Sequence, residues 1–255
     1  MRVYVQGPDS EDTQPEQGDV HYEARYVSVN TSNGFARASF ESYNSQPREQ
    51  TVAENAEDES PPIVRLAIKI LSQYGAYSVV HPACGQGDLS EKLADAGFDV
   101  TAFDFAAVSR RAQRRSRNMK RSLVRFVCDD PGLPRRNMGT FDGLIAPHVL
   151  SQMLASQRRR LLRNLARLLH SSGVAVLSAL STDDDRYGRG QEIEPDTFEI
   201  APGQVLHFFT DEAFVRELDE FFDIFSLEHL VECETDHRGN TSEFAMMVAA
   251  GMKRS

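Results

Sequence analysis

The chain has 255 residues, a formal net charge of −10 and three cysteines. No run approaches the roughly 20 apolar residues of a membrane helix, and the start lacks the apolar core of a secretion signal. We therefore expect a cytoplasmic protein with no membrane partner. Cys84, Cys128 and Cys233 are widely spaced within apolar runs, which is atypical of a disulfide framework or a zinc site. We expect reduced cysteines and no bound metal.

The first sixty residues differ in composition from the rest of the chain. They contain twelve acidic and only four basic residues, so they carry most of the negative charge. Their polar, proline-interrupted sequence is typical of flexible chain. Residues 20–29 and 35–43 predict a loose hairpin, with a short helix over a ligand as the alternative for 35–43. We divide the chain into an acidic extension or lid, 1–60, and one folded domain, 61–255.

From Pro61 onwards, helical and strand-like patterns alternate. This alternation is the signature of a mostly parallel sheet with helices on both faces. The first half of the domain predicts, in order, a helix from Pro62 to near Gly75, a strand 77–81, a helix 89–96, a strand 99–103, a basic helix 108–119, a strand 124–128 and a strand 141–146.

The second half begins with a helix over 156–170 and a fully apolar strand over 174–180. Residues 181–209 are irregular, acidic and aromatic, and are too long for a plain connection, so we expect a functional lid. Thr210 caps a helix that runs to about Phe221. The strands 224–232 and 242–250 follow, and the short link between them predicts antiparallel pairing.

Glycine and acidic residues follow three successive strands of the predicted sheet. Gly85 and Gly87 lie between a strand and a helix, where the missing Cβ allows a ligand to approach the backbone. Asp104 ends the next strand, where a carboxylate can accept hydrogen bonds from both ribose hydroxyls of an adenosine-type cofactor. Asp129 ends the third strand and can accept from an adenine amino group, while the amide of Asp130 can donate to a ring nitrogen.

These segments resemble the class I S-adenosylmethionine-dependent methyltransferases, in particular the small-molecule branch with tellurite-resistance-type and thiopurine-type enzymes. The resemblance covers about residues 40–254 and rests on the segments VVHPACGQGDLSEKLADAGFDVTAFDFA, VRFVCDDPGLP, TFDGLIAPHVLSQM and YGRGQEIEPDTFEIAPGQVLHFFTDEAF. It implies a doubly wound α/β fold with a mostly parallel seven-stranded, Rossmann-like sheet and a C-terminal antiparallel hairpin. It also implies S-adenosylmethionine as the cofactor and a small molecule as the methyl acceptor.

Carried over to this sequence, the resemblance assigns the glycine loop to the methionine half of the cofactor, Asp104 to the ribose, and Asp129 with Asp130 to the adenine. The complete set of cofactor-binding residues that we expect is His81, Ala83, Gly85, Gly87, Asp104, Phe105, Asp129, Asp130 and Ala146. Two positions depart from the family pattern. Family members usually have an acidic residue at position 81 and glycine at position 83.

The acceptor side of the site is less specific in the sequence. His148 follows the fourth strand and is the candidate general base or orienting group, with a structural hydrogen bond as the equally weighted alternative. Tyr43, Tyr187 and His207 are candidates for lining the acceptor pocket. The basic clusters at 110–121 and 158–160 are interpreted as solvated helix faces that can also pair with the acidic extension, so a nucleic-acid partner is not expected.

Two other functions remain open at this stage. A nicotinamide dinucleotide oxidoreductase is suggested by Gly85, Gly87 and Asp104, which loosely match the dinucleotide fingerprint. A non-catalytic binding or scaffold protein that keeps the methyltransferase fold is suggested by His81 and Ala83. Binding of S-adenosylhomocysteine or of a dinucleotide distinguishes the three hypotheses.

Overall fold

A computed structural model describes residues 22–27, 60–105, 124–130, 134, 138–235 and 241–254. Several sequence-based expectations lie outside these residues. They are the second half of the N-terminal hairpin with Tyr43, the basic helix 108–119 with the basic cluster 110–121, and the turn 236–240. The division at residue 60 and the proposed lid role of the extension therefore stay predictions.

The described residues form four α-helices and eleven strands. The helices are α1 (Pro62–Gln73), α2 (Asp88–Asp95), α3 (Ala155–Arg167) and α4 (Asp211–Leu218). The strands are β1 (Tyr22–Val27), β2 (Ser78–Pro82), β3 (Asp99–Asp104), β4 (Val124–Cys128), β5 (Phe141–Ala146), β6 (Leu169–Ser181), β7 (Gln191–Glu194), β8 (Thr197–Ala201), β9 (Gln204–Phe209), β10 (Phe222–Thr235) and β11 (Thr241–Lys253).

The main sheet has the strand order β1-β10-β11-β6-β5-β2-β3-β4. The strands β4, β3, β2, β5 and β6 are parallel neighbours, whereas β11 is antiparallel to both β6 and β10. The predicted parallel core with a C-terminal antiparallel pair is confirmed. Because all five core strands run the same way, their carboxyl ends meet at one edge of the sheet, where the site lies.

Helices cover both faces of the sheet. α1 and α2 pack on one face with the apolar side chains of one cluster, and α3 and α4 pack on the other face with a second cluster. α1 begins directly after Pro61, and α4 begins at Thr210, whose Oγ1 accepts a hydrogen bond from the Ala213 amide at 3.2 Å. Both helix starts agree with the sequence analysis. No helix among the described residues is long and apolar enough to cross a membrane.

The helix predicted over 156–170 is shorter than expected. α3 ends at Arg167, and β6 already begins at Leu169. Leu169 is the register partner of Phe141, and the Phe141 amide donates to the Leu168 carbonyl oxygen at 2.8 Å. Pairing with β5 therefore takes these residues out of the helix, which local periodicity cannot reveal.

The segment 181–209 was expected to be irregular, and this expectation was wrong. It contains the antiparallel meander β7-β8-β9, whose last strand continues the main sheet because Leu180 and Ser181 pair in parallel with Phe208 and Phe209. Leu180 also packs with the meander side chains Phe198 and Phe208. Residues 181–209 therefore contain a small antiparallel sheet that is continuous with the end of β6.

β1 adds a further strand to the main sheet, at the edge beside β10. β1 pairs antiparallel with β10, with Tyr22 opposite Glu234 and Val27 opposite His229. This strand falls within the first half of the predicted N-terminal hairpin. Part of the N-terminal extension is therefore built into the sheet.

Candidate functional site

The loop between β2 and α2 provides the backbone conformation expected of a ligand-binding turn. Ala83, Gly85 and Gly87 all have positive φ, at 53°, 54° and 89°. A Cβ at Gly85 would point into open space. Glycine at position 85 takes this backbone angle without the strain that a Cβ adds, and the space beside it is open.

The carboxylate of Asp104 holds this loop against the end of β3. Its Oδ2 accepts a hydrogen bond from the Gly85 amide at 2.9 Å, and its Oδ1 accepts one from the Phe105 amide at 2.7 Å. The side chain is buried. A carboxylate has about four lone-pair directions, so each oxygen keeps one acceptor direction for a ligand.

Asp129 and Asp130 follow β4 on the neighbouring strand end. The Asp129 amide donates to the Asp104 carbonyl oxygen at 3.0 Å, which extends the sheet pairing beyond β4. The Asp130 amide donates to the Asp129 carboxylate Oδ1 at 3.0 Å. The amide that was expected to contact adenine therefore already has a partner, and an adenine ring nitrogen would have to share it or displace it.

A cavity of about 600 Å³ opens at these strand ends. This volume lies within the range of about 300–1,000 Å³ that is usual for small-molecule sites. Four of the expected cofactor-binding residues line it. The lining residues are Ala83, Asp104, Phe105, Asp130, Pro147, Val149, Gln152, Met153, Gln157 and Arg160.

The two positions that depart from the family pattern are accommodated differently. His81 is turned into the protein, 2% exposed, with its Nδ1 2.8 Å from the Ser90 hydroxyl in α2. Burial lowers the pKa of His81 to about 3, so the ring is uncharged at neutral pH. Ala83 adopts the left-handed backbone angle that glycine would take without strain, and its side chain lines the cavity.

His148 lies beside the cavity but is not among its lining residues, whereas its neighbours Pro147 and Val149 are. Its φ of 56° is unusual for a residue with a Cβ, and its amide donates to the buried Ser178 hydroxyl at 3.0 Å. Burial, followed by the positive charge of Arg186, lowers the pKa of His148 to about 4. Ala146, the residue before Pro147, is fully buried.

The other two acceptor-side candidates belong to the meander. Tyr187 is 41% exposed, its hydroxyl donates to the Asp196 carboxylate at 2.7 Å, and this hydrogen bond raises the pKa of Tyr187. His207 is buried, its Nδ1 lies 2.8 Å from the Thr197 hydroxyl, and its ring packs edge-on against Phe209. Burial, followed by the charge of Arg158, lowers the pKa of His207 to about 4. The structure does not bring His207 to the cavity.

The sequence analysis did not identify the residues of α3 that line the cavity, Gln157 and Arg160. The cluster 158–160 was interpreted as a solvated face, but Arg158 is only 4% exposed, pairs with Glu217 at 2.9 Å and lies over the Phe209 ring. Arg159 pairs with Glu220, and Arg160 faces the cavity. Consecutive arginines thus have three different surroundings, and only the position of α3 against α4 separates them.

The comparison with protein families decides the class of this domain. Residues 80–177, from the middle of β2 to β6, match the family model described as a methyltransferase domain. The chain carries a methyltransferase domain. The match confirms the predicted S-adenosylmethionine-dependent class for this domain and removes the support for the dinucleotide oxidoreductase hypothesis. No curated protein matches the sequence.

Solved structures share the fold of this methyltransferase domain at low sequence identity. A 1,6-didemethyltoxoflavin N1-methyltransferase from Burkholderia thailandensis, solved with its substrate and S-adenosylhomocysteine, is 17% identical, with a TM-score of 0.59 over 76% of this chain and 79% of that chain. A methyltransferase from Methanosarcina mazei is 19% identical, with a TM-score of 0.59 over 76% and 98%. TehB from Haemophilus influenzae is 13% identical, with a TM-score of 0.55 over 75% and 62%.

Proposed function

We propose that this protein transfers a methyl group from S-adenosylmethionine to a small-molecule acceptor. The observation that carries the proposal is the buried Asp104 carboxylate, which lines the cavity while two backbone amides fix its orientation. Asp104 would accept hydrogen bonds from the ribose hydroxyls, Phe105 would pack against the adenine, and the loop from His81 to Gly87 would hold the methionine half.

The cavity and the glycine loop offer partners for the polar groups of this cofactor. Asp104 keeps acceptor directions for two hydroxyl groups, and the open space beside Gly85 leaves room near the start of α2, where free amides favour a carboxylate. When bound, the cofactor supplies a methyl group on a positively charged sulfur, which is already a strong electrophile. The protein's remaining tasks are to hold the acceptor in line and to exclude water.

The low pKa of His148 favours an acceptor whose reacting atom carries no proton or loses it readily. A general base works best when its pKa lies near the working pH, whereas burial and Arg186 lower the pKa of His148 to about 4. At neutral pH the ring is uncharged and a weak base, so it would orient the acceptor through a hydrogen bond. Thiolates, phenolates and aromatic nitrogens fit this role better than aliphatic alcohols or ammonium groups.

The size of the cavity also supports a small molecule as the acceptor. The 1,6-didemethyltoxoflavin N1-methyltransferase that shares this fold was solved with bound 1,6-didemethyltoxoflavin. Among the described residues, Asp104 and Asp130 line the cavity at the strand ends, and Gln157 and Arg160 of α3 line it from another side. An extended polymer would need an open groove of basic residues instead.

The direct test follows the methyl group. The full chain is incubated with methyl-labelled S-adenosylmethionine and a cell extract, which is then separated into small-molecule, protein and nucleic-acid fractions. We expect the label in the small-molecule fraction. Label that accumulates only in the protein or nucleic-acid fraction would contradict the proposed acceptor class.

Two variants on the same strand make the matched control. Asp104→Ala removes the proposed ribose contact, whereas Asp99→Ala removes an exposed aspartate at the opposite end of β3. We expect Asp104→Ala to abolish labelling and Asp99→Ala to retain it. Should the wild-type chain fail to bind S-adenosylhomocysteine in calorimetry, the non-catalytic scaffold hypothesis, which His81 and Ala83 favour, would replace this one.

A further inference from the structure

The turn after β6 holds the side chain of Arg186 in one orientation. Nε and Nη2 of Arg186 donate to the two carboxylate oxygens of Asp184 at 2.7 and 2.8 Å. Asp184 is buried and also accepts a hydrogen bond from the Ala245 amide of β11 at 3.0 Å. On its flat side, the Arg186 guanidinium lies 4.5 Å from the centre of the Phe244 ring. Carboxylate, backbone amide and ring together fix this guanidinium.

The opposite edge of the same guanidinium remains available. An arginine has five N–H donors, and the pairing with Asp184 uses two of them. Within the described parts of the chain, no other side chain or carbonyl accepts from the remaining three. The Arg186 side chain is 28% exposed, so these donors are open to a ligand. A guanidinium that is held on one edge and open on the other can form paired hydrogen bonds with a planar anion such as a carboxylate.

Arg186 lies at the carboxyl edge of the sheet, on the face that also carries Ser178, the partner of the His148 amide. The His148 amide is bonded to the Ser178 hydroxyl, and Ser178 is the register partner of Val248 in β11. Phe244 lies four residues before Val248 on the same strand, and side chains at this spacing share a face of the sheet. Arg186 stacks on Phe244, and its positive charge contributes to the lowered pKa of His148. His148 follows the carboxyl end of β5, and Arg186 follows the carboxyl end of its parallel neighbour β6.

We propose that Arg186 binds the acceptor, and that the acceptor carries an anionic oxygen group such as a carboxylate or a phenolate. The inference rests on the proposed function and adds the substrate class. The Phe244 ring covers one face of the guanidinium, so the anion would approach along the free edge, in the plane of the guanidinium. Where the anionic oxygen is itself the methylated atom, it has no proton to lose, which matches the weakly basic His148.

Benzoate and benzamide are the probes, because they have the same shape and differ in charge. Each is titrated by calorimetry into the full chain saturated with S-adenosylhomocysteine. We expect benzoate to bind at least about tenfold more tightly than benzamide, the size expected for a charge-assisted hydrogen-bond pair. Equal affinities for the two probes in the wild-type complex would overturn the inference.

The variant Arg186→Gln should remove the preference for benzoate and leave the affinity for S-adenosylhomocysteine unchanged. Arg189→Gln is the matched control, because Arg189 is exposed in the same turn and carries the same charge; it should keep the preference. A preference that survives Arg186→Gln, or that disappears equally in Arg189→Gln, would show that general positive charge attracts benzoate and would refute the role of Arg186.

Arg186→Gln leaves the buried carboxylate of Asp184 without its ion pair, which is expected to lower stability. The double variant Asp184→Asn with Arg186→Gln removes both charges together and is measured if the single variant unfolds. It should bind benzoate and benzamide equally. Failure of S-adenosylhomocysteine to bind the wild-type chain would count against the proposed function, whereas cofactor binding without a benzoate preference would count against Arg186 alone.

Discussion

Replacing Asp104 with asparagine tests the central contact of the site. Asparagine keeps one acceptor oxygen, but its amide nitrogen would face a backbone N–H of Gly85 or Phe105, both of which now donate to the carboxylate. Losing one hydrogen bond to a charged group costs about 1.5–3 kcal/mol. We therefore expect Asp104→Asn to lower the free energy of unfolding by about 1–3 kcal/mol and to weaken S-adenosylhomocysteine binding by about 10- to 100-fold.

Weaker binding alone would not separate a direct ribose contact from loss of support for the glycine loop. A second ligand, the 2′-deoxy analogue of S-adenosylhomocysteine, completes a thermodynamic cycle with the same variant. In the wild-type chain, we expect the missing hydroxyl to cost about 1–2 kcal/mol in calorimetric binding energy. In Asp104→Asn, the same omission should cost less than about 0.5 kcal/mol, because the partner is already impaired.

Additive effects of the variant and of the missing hydroxyl would refute the ribose contact. In that case, Asp104 would act only by anchoring the loop through Gly85. The Asp99→Ala variant on the same strand serves as the reference for any general effect of removing a negative charge from β3.

Two further predictions concern stability. Ala83→Gly should raise the free energy of unfolding by about 0.5–1 kcal/mol in denaturant titration, because relief of the left-handed strain exceeds the entropic cost of glycine; a loss of stability would contradict this. His207 has its pKa lowered to about 4 by burial, so unfolding takes up a proton below the ordinary pKa of about 6.5, and stability falls as the pH drops. Between pH 7 and 5.5, His207→Gln should remove about 1.2 kcal/mol of this loss, and an unchanged pH dependence would show that His207 does not contribute.

Much of the fold follows from local sequence patterns. The strand ends at Asp104 and Cys128 and the cap at Thr210 were predicted from periodicity and turn residues, which act over a few neighbouring positions. The glycine loop and Asp104 could be assigned to one site because parallel strands bring their carboxyl ends together. These features need no knowledge of which helix packs where.

The meander and the acceptor side could not be predicted in this way. Residues 181–209 lack a clear period, and their strands form because β9 pairs with the end of β6 and Phe208 packs with Leu180. His207 was a pocket candidate by its position in the chain, but its ring packs against Phe209 inside the protein. A histidine's position along a strand does not tell which face of the sheet it occupies until the neighbours are known.

By itself, the sequence determined the alternation of strands and helices, the glycine turn and the acidic residues at the strand ends, because each depends on residues a few positions apart. Only the tertiary structure decided which arginines are functional candidates. Arg158 is buried against Glu217, whereas Arg186 is fixed through Asp184 by the amide of Ala245, 61 residues from Asp184. Identical side chains differ in role here because burial and ion pairing are set by contacts between distant parts of the chain.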